Sequence, residues 1–251
     1  MVAKCWAKRL GGCGIQSREH YISQGLWAGD TVTVRGLWDE EKTVGVRALT
    51  AKNLCKTHNE GLSQTDSAAK HVFTTIEELY RLHNVRLKLK PQKLWTVKRY
   101  QVSGSLFERW AAKFLVGFFY VVGKDQKWHD SRSGPLDPPL NLVNGIFGKT
   151  VFTKPMGLYL AVDKGDQLDL DGGVGIEPLF HPDTHGLLGA NLDFKGLRFV
   201  IWLSVTDPHT FDVPGSEGRL FGPNGSELMY HLEHGRFAIN KALSQVLTFE
   251  W

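Results

Sequence analysis

Apolar and polar residues follow patterns along the chain that predict strands mainly in its second half. Residues 30–35 alternate between the two classes, as suits a half-buried strand near the N-terminus. Longer apolar runs bounded by Gly, Asp and Pro occur at residues 157–162, 174–180 and 197–205. We therefore expect a chain that is mostly β after residue 150, closed by a short helix around residues 236–245.

Apolar residues at helical spacing predict two helices in the middle of the chain. Residues 67–90 show this spacing and are followed by Pro91, which would stop a helix. Residues 105–122 place large apolar side chains on one side and charged ones on another, as in an amphipathic helix. Residues 124–139 are polar and end in prolines, which predicts an exposed, mobile loop or linker.

The change of pattern near residue 90 predicts two parts in the chain. Residues 1–90 are rich in Gly, Cys, His and turn-forming residues, which suggests a small, metal-dependent module with a following helix. Residues 91–251 form an α+β domain in this interpretation, and the sequence predicts no role for it. The expected fold class is α+β, with a helical middle and a β-rich C-terminal half.

Composition and charge narrow the class of protein. Hydrophobic residues make up 42% and charged residues 22% of the chain, as in ordinary globular proteins, and the net charge of +4 mildly favours a polyanionic partner. The longest apolar stretch, residues 111–123, is interrupted by Lys113 and is shorter than the roughly 20 residues that span a bilayer. We expect no membrane segment.

Three cysteines and an N-terminus without a secretory leader predict a reducing, cytoplasmic setting in which thiols can bind metal. Cys55 and His58 lie three residues apart, a spacing that suits half of a zinc site. Cys5 and Cys13 would complete it, because Gly11 and Gly12 allow the longer loop between them to fold back. The alternative is that the cysteines are small buried residues and that His58 is a surface imidazole.

Glu19 directly precedes His20 between the two halves of this zinc site, and Asn59 directly follows His58. The pattern Cys…Cys…Glu-His…Leu-Cys-x-x-His-Asn resembles the zinc-stapled form of the HNH, or ββα-metal, nuclease family. The resemblance covers residues 5–66. It departs from the family pattern in the wide spacing of the first cysteines, in His58 replacing a cysteine, and in Ser23 replacing a proline. A module that keeps zinc without catalysis therefore stays open.

The resemblance implies a ββα-metal module and a role for each matching residue. His20 would be the general base, and Glu19 and Asn59 would bind a catalytic Mg²⁺ or Mn²⁺ ion. Asp66 could add a carboxylate to that ion or simply cap the following helix. Asn53 is a rival for the asparagine that supports the loop carrying the base.

The function that follows is metal-dependent endonuclease activity on DNA, with RNA as a second substrate. Basic residues interleaved with aromatics could bind the phosphate backbone: Arg18, Arg86, Lys88, Lys90, Lys93, Lys98 and Arg99. A solvated basic face over Leu87 and Leu89 explains most of the same residues equally well. The competing interpretation is a non-catalytic, zinc-stabilised module that binds nucleic acid or a protein, for example as a component of a phage or defence system. Either interpretation allows a protein partner or a homo-oligomer.

Overall fold

A computed structural model describes residues 5–27, 29–36, 38–89, 97–122, 127–128, 137–162, 173–205, 228–231, 236–239 and 245–251. The fold is mixed α+β, as the sequence predicts. The helices are α1 (Lys56–Glu60), α2 (Ser63–Lys88), α3 (Gly104–Val122) and α4 (Leu140–Ile146). The strands are β1 (Glu19–His20), β2 (Thr31–Arg35), β3 (Lys42–Gly45), β4 (Thr50–Ala51), β5 (Arg99–Ser103), β6 (Lys127–Trp128), β7 (Gly157–Val162), β8 (Val174–Phe180), β9 (Gly186–Phe194), β10 (Leu197–Trp202), β11 (Leu228–His231), β12 (Arg236–Ile239) and β13 (Gln245–Glu250).

The largest sheet has eight described strands in the order β11-β7-β10-β9-β8-β2-β3, with β6 paired to the start of β9. The three central strands β8, β9 and β10 form an antiparallel meander, because they follow one another both in the chain and in the sheet. Lys195 and Gly196 both have positive φ and join β9 to β10 by the two-residue turn that suits the twist of a hairpin. The sheet predicted after residue 150 is therefore present.

Two long helices pack together and against this sheet. Phe107 and Trp110 of α3 lie on one helical face, and Phe73 of α2 meets both at ring-centroid distances of 5.7 and 5.8 Å. Trp110 also lies 5.3 Å from Phe194 of β9. Apolar side chains spaced three and four residues apart thus bury one stripe of each helix against the sheet, as amphipathic helices do.

The apolar core is contiguous and includes residues from Cys5 to Phe249. The N-terminal hairpin β2–β3 joins the large sheet through parallel pairing of β2 with β8, with Val34 opposite Val174. Core and sheet therefore draw on residues before and after residue 90. The division of the chain at that point stays a prediction.

Several element boundaries differ from those predicted. The short C-terminal helix expected around residues 236–245 is wrong, because Arg236–Ile239 form β12 and pair with β13, which in turn runs parallel to β5. Cross-strand pairing outweighs the weak local helical signal there. The segment 124–139 lies mostly outside the described residues, although Lys127–Trp128 form a strand where a loop was expected. Among the described helices, none combines the length and apolar character needed to cross a membrane.

Candidate metal cluster and adjoining cavity

Three cysteines and one histidine meet near the N-terminus. Cys5 precedes a short 3-10 turn, after which Gly11 and Gly12 adopt positive φ and return the chain so that Cys13 approaches Cys5. Cys55 is the N-cap of α1, and His58 lies in its first turn. The predicted loop between Cys5 and Cys13 therefore folds back, and the two glycines supply the backbone conformations that it needs.

The geometry of the four side chains fits a zinc ion. The sulfurs of Cys5, Cys13 and Cys55 lie 3.4, 3.7 and 3.2 Å from Nδ1 of His58, and all four ligand atoms lie within 4.8 Å of one another. A tetrahedral site with Zn–S of about 2.3 Å and Zn–N of about 2.0 Å has sulfur-to-nitrogen edges of about 3.5 Å. The predicted group of four could thus hold a metal ion, and its ligand set is compatible with structural zinc.

Burial makes ionisation of two of the thiols costly without a cation. It raises the pKa of the Cys5 thiol to about 12 and also raises the pKa of Cys13. The pKa of Cys55 is lowered, because hydrogen bonds from the backbone and from the other thiols outweigh burial there. Burial lowers the pKa of His58, which favours the neutral imidazole that binds metal. Three of the four candidate ligands are buried and Cys13 is exposed.

A cavity of about 310 Å³ opens on the other side of α1. The residues that line it include Arg18, Glu19, His20, Asn59, Asp66 and Lys70. Glu19 and His20 form β1, which pairs antiparallel with Ala51 and Thr50 of β4. Asn59 comes from α1 and Asp66 from the first turn of α2. The structure therefore brings together the four residues that the sequence suggested for base and cation.

Lys113 of α3 does not line the cavity itself but pairs with the two carboxylates that do. Its Nζ lies 2.8 Å from Oε1 of Glu19 and 2.7 Å from Oδ2 of Asp66. Glu19 and Lys113 are each only 5% exposed. Burial raises the pKa of the Glu19 carboxyl, which the Lys113 ammonium opposes. Burial lowers the pKa of Lys113, but the charges of Glu19 and Asp66 outweigh it and the net shift is upward.

Asp66 is held by a short chain of hydrogen bonds and does not cap a helix. Ser23 Oγ donates to Asp66 Oδ1 at 2.6 Å, and Trp110 Nε1 donates to Ser23 Oγ at 2.9 Å. The N-cap of α2 is Leu62, with no side-chain cap bond. The helix-cap interpretation of Asp66 is therefore wrong, because α2 begins three residues before Asp66 and its carboxylate turns toward Ser23 and Lys113 instead.

His20 is half-buried at the cavity wall. Its Nδ1 is buried and has no hydrogen-bond partner among the described residues. Burial lowers the pKa of this imidazole, although the Val46 backbone and the charge of Asp66 oppose the shift. The ring is therefore neutral near neutral pH, and Nδ1 can accept a proton if it is the unprotonated nitrogen.

Asn59 and Asn53 have different surroundings. Asn59 directly follows the cluster residue His58, and its backbone N–H donates to the Cys55 carbonyl, so the cluster fixes where Asn59 lies. Asn53 is buried and donates through Nδ2 to the Gly117 carbonyl at 3.4 Å. The cavity lining does not include Asn53. Asn53 thus ties the segment before α1 to α3.

The described residues that were predicted to bind nucleic acid lie on several elements of the fold. Arg18 is exposed and lines the cavity, as does Lys70, which the sequence interpretation missed. Arg86 and Lys88 lie in the last turn of α2, and Arg99 begins β5 after Lys98. Lys90 and Lys93 fall outside the described residues. Of the described candidates, Arg18 alone lines the cavity, and a role in nucleic-acid binding stays a prediction for the others.

Sequence reasoning also missed Ser23, which lines the cavity, and Trp110 and Lys113, which bond to residues of the lining. One signal was available, since Lys113 is the one charged residue in the apolar stretch 111–123. A buried charge needs a partner of opposite sign, so this pattern implies a carboxylate nearby. Nothing local in the sequence identifies Glu19 and Asp66 as those partners.

Comparison with known proteins finds no match to a family model, to a curated protein or to a solved structure.

Proposed function

We propose that this chain is a metal-dependent endonuclease that hydrolyses phosphodiester bonds in DNA, with RNA as a second substrate, and that His20 is its general base. The observation that carries the proposal is the cavity itself. It combines an imidazole, an amide and two carboxylates, from His20, Asn59, Glu19 and Asp66, with the exposed cations Arg18 and Lys70. This is the set of groups that hydrolysis of a phosphodiester needs.

The layout around the cavity supports a zinc-stapled ββα-metal module. Glu19 and His20 form β1, which pairs antiparallel with β4, and the chain leads from β4 into α1 with Asn59. The Cys/His cluster clamps the N-terminus of α1 to the loop that carries Cys5 and Cys13. A zinc ion there would hold Asn59 and β1 in register without taking part in the reaction.

His20 suits the role of base in position and in charge. A general base must be neutral at the working pH and must present an unpaired nitrogen to water. Burial lowers the pKa of His20, which favours the neutral imidazole, and the residue lines the cavity. Its unprotonated ring nitrogen would accept the proton of a water molecule as that water attacks phosphorus.

Oxygen ligands for a hard cation are present beside His20. Glu19, Asn59 and Asp66 would hold Mg²⁺ or Mn²⁺, both of which prefer carboxylate and carbonyl oxygen. The bound ion would neutralise charge on the phosphate and on the leaving oxygen. Arg18 and Lys70 would orient the backbone through neighbouring phosphates.

The test is incubation of the zinc-loaded protein with supercoiled plasmid in Mg²⁺, in Mn²⁺ and without added divalent ion. His20→Ala should reduce cleavage by about 100-fold or more, since general-base catalysis contributes about 10²- to 10⁴-fold. His71→Ala is the matched control, because His71 is exposed on α2 and does not line the cavity. Zinc content and circular dichroism should be unchanged in both variants. Cleavage that survives in His20→Ala, or that needs no divalent ion, contradicts the proposal.

One observation favours a second candidate function, a zinc-stabilised binding module without catalysis. Glu19 and Asp66 already have a cation partner in Lys113, so the cavity folds without a divalent ion. A binding module predicts that the protein retards nucleic acid in a gel and leaves the plasmid intact in Mg²⁺ and Mn²⁺. The same incubation therefore separates the two functions.

A further inference from the structure

Lys113 occupies the position between two carboxylates that a cation would otherwise take. Its Nζ is within 2.8 Å of Glu19 and 2.7 Å of Asp66, and the side chain is 5% exposed. The residue comes from α3, whereas both carboxylates come from the N-terminal part of the chain. The ammonium is a fixed component of this group, because the two carboxylates compensate its charge.

The contacts leave little free capacity on the acidic pair. Both oxygens of Asp66 have donors, since Oδ1 accepts from Ser23 and Oδ2 from Lys113. Oε1 of Glu19 is paired with Lys113, whereas Oε2 is buried and has no hydrogen-bond partner among the described residues. His20 Nδ1 is likewise buried and has no hydrogen-bond partner among the described residues. Glu19 Oε2 is therefore the one carboxylate oxygen of this pair that has no described donor, and it is buried.

The charges show what Lys113 contributes. With both carboxylates ionised, Glu19, Asp66 and Lys113 sum to one negative charge, and a divalent ion would bring this group to one positive charge. Without the ammonium the same loaded group would be neutral. A phosphodiester carries one negative charge, so Lys113 adds to the attraction that Arg18 and Lys70 in the cavity lining provide.

We propose that Lys113 is a built-in cation that sets the metal affinity of the cavity: it competes with the divalent ion for Glu19 and Asp66, and it leaves the loaded cavity positively charged toward phosphate. This inference rests on the proposed function in one respect, that the cavity takes a divalent ion. Lys113 touches the carboxylates and not the substrate, so it is a positioning and specificity-determining residue.

The experiment is a Mn²⁺ titration of the full-length, zinc-loaded protein, followed by the electron paramagnetic resonance signal of free Mn²⁺. Lys113→Met removes the ammonium and keeps an apolar stem of similar length. The variant should bind Mn²⁺ at least about tenfold more tightly than wild type, because one like charge has been removed from contact with the site. Lys113→Arg keeps the charge and should stay within about threefold of wild type.

Stability gives a second readout, since the buried Glu19 carboxylate and the partly exposed Asp66 carboxylate would repel each other without the cation between them. Lys113→Met should melt at a lower temperature than wild type, and added Mn²⁺ should raise its melting temperature more than that of wild type. If Lys113→Met is recovered only unfolded, Lys113→Gln replaces it and should show the same gain in Mn²⁺ affinity. Equal or weaker Mn²⁺ binding in the neutral variant, compared with wild type, overturns the inference.

The two proposals fail in different ways. Tighter Mn²⁺ binding in Lys113→Met together with an intact plasmid in every condition upholds the role of Lys113 and contradicts the nuclease. Metal-dependent cleavage by wild type, with Mn²⁺ affinity unchanged in Lys113→Met, upholds the nuclease and removes the role assigned to Lys113.

Discussion

The Cys/His cluster and the neighbouring cavity both bring ionisable groups into the interior, and they differ in where the compensating charge comes from. The candidate ligands of the cluster are three thiols and the imidazole of His58, and burial raises the pKa of Cys5 to about 12. In the cavity, the ammonium of Lys113 pairs with Glu19 and Asp66. We therefore expect the charged state of the cluster to depend on a metal ion, and that of the cavity not to.

The two regions also differ in how far apart their residues are in the sequence. The cluster uses residues 5–58 and closes around a few turns. The cavity depends on α3, because Trp110 bonds to Ser23 and Lys113 to Asp66, and both of these residues line it. Metal loss should therefore damage the first region directly, whereas damage to the second should come from changes in the core.

The largest expected effect is loss of the cluster. Removal of zinc with a strong chelator, or Cys55→Ser, should unfold the segment before α2, since structural zinc contributes about 10 kcal/mol or more in small zinc-held folds. Hydrogen exchange of residues 5–62 should become fast while α3 and β9 stay protected. A segment that keeps its protection without zinc would show that the cluster depends on packing alone.

Trp110→Ala should have the next largest effect, about 3–5 kcal/mol in the free energy of unfolding, because it leaves a cavity among the rings of Phe73, Phe107 and Phe194. Urea denaturation measures the change. Zinc stoichiometry should stay at one per chain in the folded variant. Val151→Ala serves as a control, since Val151 is 84% exposed and should change stability by less than about 0.5 kcal/mol. A zinc loss in Trp110→Ala would contradict the independence of the two regions.

Ser23→Ala should have the smallest effect, about 1–3 kcal/mol, because it leaves Asp66 Oδ1 without a donor and the Trp110 indole N–H without an acceptor. Thr43→Ala is its counterpart at an exposed hydroxyl, bonded to Thr33 on the surface, and should cost less than about 1 kcal/mol. Denaturation of both variants in urea compares them. Equal losses would mean that the Ser23 hydrogen bonds do not support the cavity.

Local patterns in the sequence predicted the elements whose structure depends on residues close together in the chain. The helical spacing of apolar residues in 105–122 predicted α3, and the apolar runs 157–162 and 174–180 predicted β7 and β8 with the bounds that the structure shows. Cys55 and His58 lie one helical turn apart, so their joint use in a cluster was visible in the sequence. Periodicity and ligand spacing are short-range signals, and they predict short-range structure.

Long-range partners could not be predicted in the same way. The parallel pairing of β2 with β8 joins Val34 to Val174, and no local pattern near either residue specifies the other. Residues 236–239 were expected to be helical, and the strand partner that overrides this expectation lies in β13, six to twelve residues away in the sequence. Lys113 was visible as an isolated charge, but its partners Glu19 and Asp66 are brought to it only by the packing of α3.

The parallel pairing of β5 with β13 has a consequence for the order of folding. Tyr100 and Val102 lie beside Leu247 and Phe249, so these strands close a loop of well over one hundred residues. Loop closure of this length is slow compared with helix formation. During synthesis, the edge of β5 that pairs with β13 therefore stays unpaired until residues 245–250 have left the ribosome. A chain that stalls earlier would leave this edge of β5 exposed, where strands of other copies can pair.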